Sequence, residues 1–276
     1  MSYFGLGMGL GGPPALVRGP HIAGAGLLPE LVDYRDTTGA TDLSGLNILA
    51  GYLLDQSLYN DTMFASFKAA QNYGSGSAAA TLGGAQAHDW TLINGPAWQS
   101  GGVLMGPGEF MRMPDYMGGA VNLTVFLRAT RTISGVDRGM ISQYDFGNNQ
   151  RRFSFNQIAS GGGRWGFNKS SNGTDLDTPN GGSNNSGVDS VFALEFEQGL
   201  AALKFWINNT PQTITDAGSI TSLHNSTADL AIGARLNDGA ANITGGNLLA
   251  SAALTLEGPL LTTAQRETIS TFLLGL

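Results

Sequence analysis

Glu195 and Glu197 stand two residues apart in the stretch SVFALEFEQ. On a β-strand that spacing places both carboxylates on one face, with Cα atoms roughly 6–7 Å apart. A carboxylate pair flanking one bond is the equipment of a glycosidase. Enzymes of that kind also line their clefts with several Trp and Tyr, and this region is poor in both. Two solvated glutamates on an outer sheet face account for the pair more simply, and we expect no catalysis.

Two Asn/Asp-rich segments offer oxygen ligands of the kind a hard cation takes. YDFGNNQ supplies Asp145 and Asn148, and RLNDGAAN supplies Asn237 and Asp238. If the two loops meet at one rim, they form a candidate calcium site. The same residue types are the ordinary formers of hairpin turns.

Carbohydrate recognition needs an aromatic platform and planar polar groups for hydroxyls. Trp165 with Arg164 and Asn168, and Trp206 with Lys204 and Asn208, form two such sets. Either tryptophan serves the core equally well. The polar segment 168–189 is long enough to carry recognition.

The glycines at 5, 7, 9, 11 and 12 are not a dinucleotide fingerprint, because no strand precedes them and no acidic residue follows suitably. Instead, the first 28 residues hold eight glycines and one charged residue, Arg18. Bare backbone carrying Tyr3, Phe4, Leu6, Met8 and Leu10 suits insertion into a crevice of another protein. Residues 1–40 are therefore expected to be an extended docking peptide.

Composition narrows the partners. Charged residues are 13% of 276 and the net charge is −7, which disfavours nucleic acid, whose phosphates demand clustered Lys and Arg. Arg151-Arg152 is the nearest thing to a basic cluster. No cysteine is present, three histidines are scattered, and no apolar run is long enough to cross a membrane.

The elements that must position these residues follow from periodicity. Leu43, Leu46, Leu49, Leu53 and Leu54 recur at roughly helical spacing, so residues 41–82 are expected to form short helices and a linker, used in homo-oligomerisation or attachment. From residue 83 the period becomes two. Leu123/Val125/Leu127, Phe153/Phe155, Trp165/Phe167, Phe192/Leu194/Phe196, Leu203/Phe205/Ile207 and Leu230/Ile232/Ala234 each group on one face. Short strands bounded by Gly, Asn, Asp and Pro, without intervening helices, predict an antiparallel two-sheet sandwich or jelly roll. Thr262 and Gln265 form a capping box before an apolar stripe of Ile269, Phe272, Leu273 and Leu276, which predicts a C-terminal helix sealing one end.

In order, VNLTVFLRATR, LEFEQGLAALKFWINNT, ADLAIGARLNDG and LLTTAQRETISTFL resemble the laminin G-like, concanavalin A-like jelly roll, across residues 86–276. The resemblance implies an all-β sandwich that in many members binds glycans, sometimes with calcium. It is shared by structural proteins of bacteriophages and gene-transfer agents, which implies a head spike, fibre or decoration protein. Such a protein is assembled in the bacterial cytoplasm, docks to other virion proteins and faces cell-surface polysaccharide. The β-glucanases related to this fold carry an E-x-D-x-E strand. Here Ala193 stands at the first position, so the catalytic pattern is not met.

Overall fold

The computed structural model describes residues 48–52, 79–80, 90–99, 102–113, 122–132, 137–159, 164–215, 218–244, 246–257 and 259–275. The docking candidates Tyr3, Phe4, Leu6, Met8 and Leu10 lie outside them, as does most of 41–82.

Alternation of apolar and polar residues gives two packed sheets, with strands numbered along the chain. Sheet A runs β14 (Thr210–Gln212), β13 (Leu203–Ile207), β12 (Ser190–Phe196), β7 (Leu123–Arg131), β19 (Leu248–Glu257), β5 (Gly102–Met105) and β4 (Ala97–Gln99), and β1 (Ile48–Tyr52) also pairs with β19. Sheet B runs β15 (Ile214–Thr215), β11 (Asn180–Gly181), β10 (Trp165–Lys169), β9 (Gln150–Gln157), β8 (Arg138–Asp145), β16 (Leu230–Ile232), β6 (Phe110–Met113), β3 (Trp90–Ile93) and β2 (Ala79–Ala80). A hairpin of β17 (Ala234–Asn237) and β18 (Ala240–Thr244) attaches to β8. The fold is the expected all-β antiparallel sandwich with one C-terminal helix, Thr263–Leu274.

The core fills from both inner faces. Leu123, Val125 and Leu127 meet Phe192, Leu194 and Phe196 in register on sheet A. Phe155 stacks on Phe167 at 5.3 Å and tilts against Trp165 at 5.2 Å and Phe205 at 5.5 Å, so the aromatic centre bridges the sheets.

Three expectations are corrected. Helical spacing across Leu43–Leu54 does not give a helix at Ile48–Tyr52, which is a strand antiparallel to β19. Leucine spacing is a weak signal where a sheet offers unpaired backbone groups. Ala234 does not continue the face of Leu230 and Ile232. At Gly233 (φ +84°) the chain reverses, β17 runs parallel to β8, and Ala234 joins Phe110, Ala231 and Leu236 in a second cluster.

The C-terminal helix does not seal an end. It lies on the outer face of sheet A against β12 and β7. Ile269 and Leu273 are buried there, as are the outward-facing Phe126, Val191, Ala193 and Leu254. Arg128 ties the helix down by donating to the Leu273 carbonyl at 3.0 Å while pairing with Asp189 at 2.7 Å. The capping box forms as expected, with the Gln265 backbone N–H donating to Thr262 Oγ1 at 3.3 Å and the Thr262 N–H to Gln265 Oε1 at 2.9 Å.

Candidate functional site

Both tryptophan platforms fail on burial. Trp165 is 1% exposed, ringed by Phe155, Phe192 and Phe205, and its Nε1 donates to the Ser183 carbonyl at 2.9 Å. Trp206 is 8% exposed because Arg266 of the helix lies 3.9 Å over its ring. The strand alternation puts Trp165 inward, and the helix covers Trp206, so neither ring can receive a sugar. Asn208 is structural as well. Asn208 and Asn209 have φ of 47° and 65° and close the β13–β14 hairpin, while the Asn208 amide oxygen accepts from Val191 N at 2.8 Å. Arg164 is exposed, and its carbonyl accepts from Ile158 N at 2.8 Å.

Glu195 and Glu197 do share a face, but Lys204 on the next strand occupies the space between them. Its Nζ lies 3.0 Å from Glu195 Oε1 and 3.2 Å from Glu197 Oε2. The bond to Glu195 raises the lysine above its ordinary pKa, against the effect of burial, with the pull of both carboxylates added. The pair is thus two halves of one ion cluster beside the C-terminal helix, not an acid and a nucleophile facing a cleft.

The two candidate calcium loops meet, as the sequence allows, but as donors to one carboxylate. Asp145, at the end of β8, accepts from Asp238 N at 2.7 Å, Gly239 N at 3.0 Å and Asn148 Nδ2 at 2.9 Å. Asp238 and Gly239 have φ of 53° and 74°, the geometry of a two-residue hairpin turn closing β17 onto β18 after Asn237. A carboxylate already filled by three N–H donors, one of them the Asn148 amide turned nitrogen-first, does not suit a cation. Among the described residues no group of three or more His, Asp or Glu is arranged to hold a metal ion. Turn chemistry explains these residues better than ligation.

Asn168 belongs to a different site, one that no single sequence motif assembles. Ser142, Ser154 and Asn168 lie directly opposite one another on β8, β9 and β10, facing away from the core. Asn156 is on the same face and donates to Ser154 Oγ at 2.5 Å, while its Oδ1 has no partner. Because β17 reverses at Gly233, Arg235 comes to lie over this polar strip. Its guanidinium sits 5.0 Å from the Tyr144 ring, and its Nη1 can donate to the Asn168 side chain at 2.8 Å when that amide is turned oxygen-first.

Beside this strip the β8–β9 turn carries a ledge. Phe146 is 50% exposed, and Arg151 lies 4.2 Å over it. Arg151 Nη1 in turn donates to the Thr174 carbonyl at 2.7 Å, which ties the ledge to the 171–176 loop. That loop is built around Asp175, which accepts from Ser170 Oγ at 2.6 Å, Ser171 N at 2.8 Å, Asn172 N at 3.2 Å and the Ser171 hydroxyl. Burial alone would raise the Asp175 pKa, but these hydrogen bonds outweigh it and hold the carboxyl below its ordinary value. Lys169, fully buried beneath, donates to the carbonyls of Ala201 and Ile220 and fixes the neighbouring loops.

The rim therefore gathers one half-exposed aromatic ring, two guanidinium groups, Asn168, and the exposed Asn148, Asn149 and Asn172. Alternation within RRFSFNQ and RWGFN already implies that Ser154, Asn156 and Asn168 share the outer face. Phe146, Arg151 and Arg235 carry no such signal, because a turn and a chain reversal place them.

No protein-family model and no curated protein matches this chain. Among solved structures it is similar to the CBM40 domain of the Ruminococcus gnavus IT-sialidase bound to α2,3-sialyllactose, at 13% identity and TM-score 0.45, covering 55% of this chain and 84% of that one. It is also similar to domain 4 of AbnA, a GH43 extracellular arabinanase from Geobacillus stearothermophilus in complex with arabinotriose, at 15% identity and TM-score 0.45, covering 71% and 85%. A Trypanosoma rangeli sialidase gives 12% identity and TM-score 0.49, covering 69% of this chain and 31% of that protein. At TM-scores of 0.45, 0.45 and 0.49, these likenesses do not bear on the function of the rim.

Proposed function

We propose that the sandwich is a glycan-binding domain whose site is the Phe146–Arg151–Arg235 rim of sheet B, displayed by a structural protein of a phage-like particle. The observation that supports the binding site is the convergence of a half-exposed ring with planar guanidinium and amide groups at one rim. Such a set offers an apolar face to a sugar's C–H groups and bidentate donors to its hydroxyls. The outer face of sheet A cannot serve, because the C-terminal helix lies across it.

The particle role rests on the sequence resemblance over residues 86–276 and on the Gly/Pro-rich stretch 1–40, read as a docking peptide. Weak sugar sites gain from repetition on a particle, which suits a homo-oligomer. Two experiments test the proposal. An array of bacterial surface polysaccharides should bind the wild-type chain and lose most of its signal with Phe146→Ala; binding to no glycan would leave a purely structural cement as the function. Deleting residues 2–28 should abolish incorporation into particles, and normal incorporation would refute docking by the leader.

A further inference from the structure

Arg235 and Arg151 are partly exposed at the rim, unlike Arg131, which is buried in the sandwich and donates to Gln157 at 3.0 Å. Arg128 pairs with Asp189 at 2.7 Å, Arg112 with Asp229 at 3.3 Å, and Arg266 approaches Glu267 at 4.0 Å. Among the described residues, no carboxylate lies within ion-pair distance of Arg235 or Arg151. Arg235 is partly buried, its Nε is enclosed without a partner, and its charge is opposed by that of Arg151 nearby. Arg151 Nε is likewise enclosed and unpartnered. Burial lowers the Arg235 pKa from its ordinary value; Tyr144 and then Asp137 work against that, and the repulsion from Arg151 is the smallest of these effects.

The chain carries a net charge of −7, yet these two partly buried cations have no carboxylate at ion-pair distance among the described residues. An unpaired, partly buried charge is costly unless an anion arrives to complete it. Guanidinium, unlike ammonium, presents a planar fork that matches a carboxylate. The half-exposed Phe146 ring beside the fork adds an apolar surface for the ring that carries the acid.

From this we infer that the rim is selective for an acidic sugar, its carboxylate received by Arg235 with Arg151 and its ring lying on Phe146. The inference rests on the glycan-binding function proposed above and names the ligand class of that same site. No bond forms or breaks; recognition is a charge-assisted hydrogen bond set.

The test uses the full chain on an array of uronate-containing bacterial polysaccharides, each spotted beside its carboxyl-reduced, neutral form. The expected result is binding to carboxylate forms over their reduced partners by roughly tenfold or more, the factor that one charge-assisted hydrogen bond supplies. Arg235→Gln should remove that preference while binding to the carboxyl-reduced forms persists, which separates loss of the fork from loss of the fold. Arg235→Lys should restore it only in part, because the fork is lost. Equal binding to charged and reduced forms, or a preference that survives Arg235→Gln, would overturn the acidic-sugar inference and leave glycan binding standing. Binding to neither form of any polysaccharide would overturn the glycan-binding function itself.

Discussion

Lys204 lies directly opposite Glu195 across β12 and β13, with Nζ 3.0 Å from Oε1 and the Glu195 side chain 3% exposed. The glutamate is buried beside the C-terminal helix with its second oxygen unpartnered, so the lysine is its main source of compensation. Removing the lysine strands a buried charge.

Lys204→Met is therefore expected to destabilise the chain by about 1–2 kcal/mol, a figure held down by solvent screening of the half-exposed ammonium. Pairing it with Glu195→Gln should recover most of the loss. The Lys204 pKa is raised in the folded state, so its contribution is complete below the ordinary value of 10.5 and fades as pH rises through the higher folded value. Urea unfolding from pH 8 to 11.5 should show the wild type and Lys204→Met converging only at the alkaline end.

Asp145 staples two turns by accepting from Asp238 N, Gly239 N and Asn148 Nδ2. Asp145→Ala should cost about 1 kcal/mol, since it removes three hydrogen bonds whose partly exposed donors water can reach. Dialysis against a chelator should leave the thermal midpoint of the wild type unchanged. A chelator-induced drop reversed by calcium would restore the ion-site interpretation of Asp145, Asn148, Asn237 and Asp238.

At the acid end, Asp175 should govern the 171–176 loop. Its folded pKa lies below the ordinary 3.8, so its stabilisation is present above that value and is lost as pH falls through the folded one. Protection of Ser171 and Asn172 from hydrogen exchange, relative to the intrinsic rate, should be lost as pH falls below the ordinary 3.8 and through the lower folded value in the wild type. In Asp175→Asn that protection should be low at every pH.

Leu273 is fully buried between the helix and sheet A. Leu273→Ala should cost about 2–4 kcal/mol through the cavity it leaves. It should also loosen Arg266 from Trp206, which a red shift of tryptophan emission would report. An unchanged thermal midpoint would mean that the helix is not integral to the sandwich.

The strands and their inward residues are readable in the sequence because each apolar run keeps its phase. Phe153 and Phe155 face the core, and Ser154 and Asn156 face away, as period two requires. The sites are less readable. Whether Trp206 is open or covered depends on a helix far downstream, and no local pattern around LKFWINN reports it. Asp145 and Asp238 resemble ligands because turn formers and cation ligands draw on the same residues; only the direction of the N–H groups distinguishes them. Arg235 reaches the polar strip because Gly233 reverses the chain, so the alternation that places Leu230 and Ile232 misplaces the residues just after it.

The central claim is that glycan engages the rim of sheet B, and hydrogen–deuterium exchange of the full chain with and without a bound surface polysaccharide tests it most directly. Protection is expected in segments 144–151, 171–176 and 235–239, with the C-terminal helix unaffected. Protection confined to the helix and β12–β13, around Glu195 and Trp206, would contradict it.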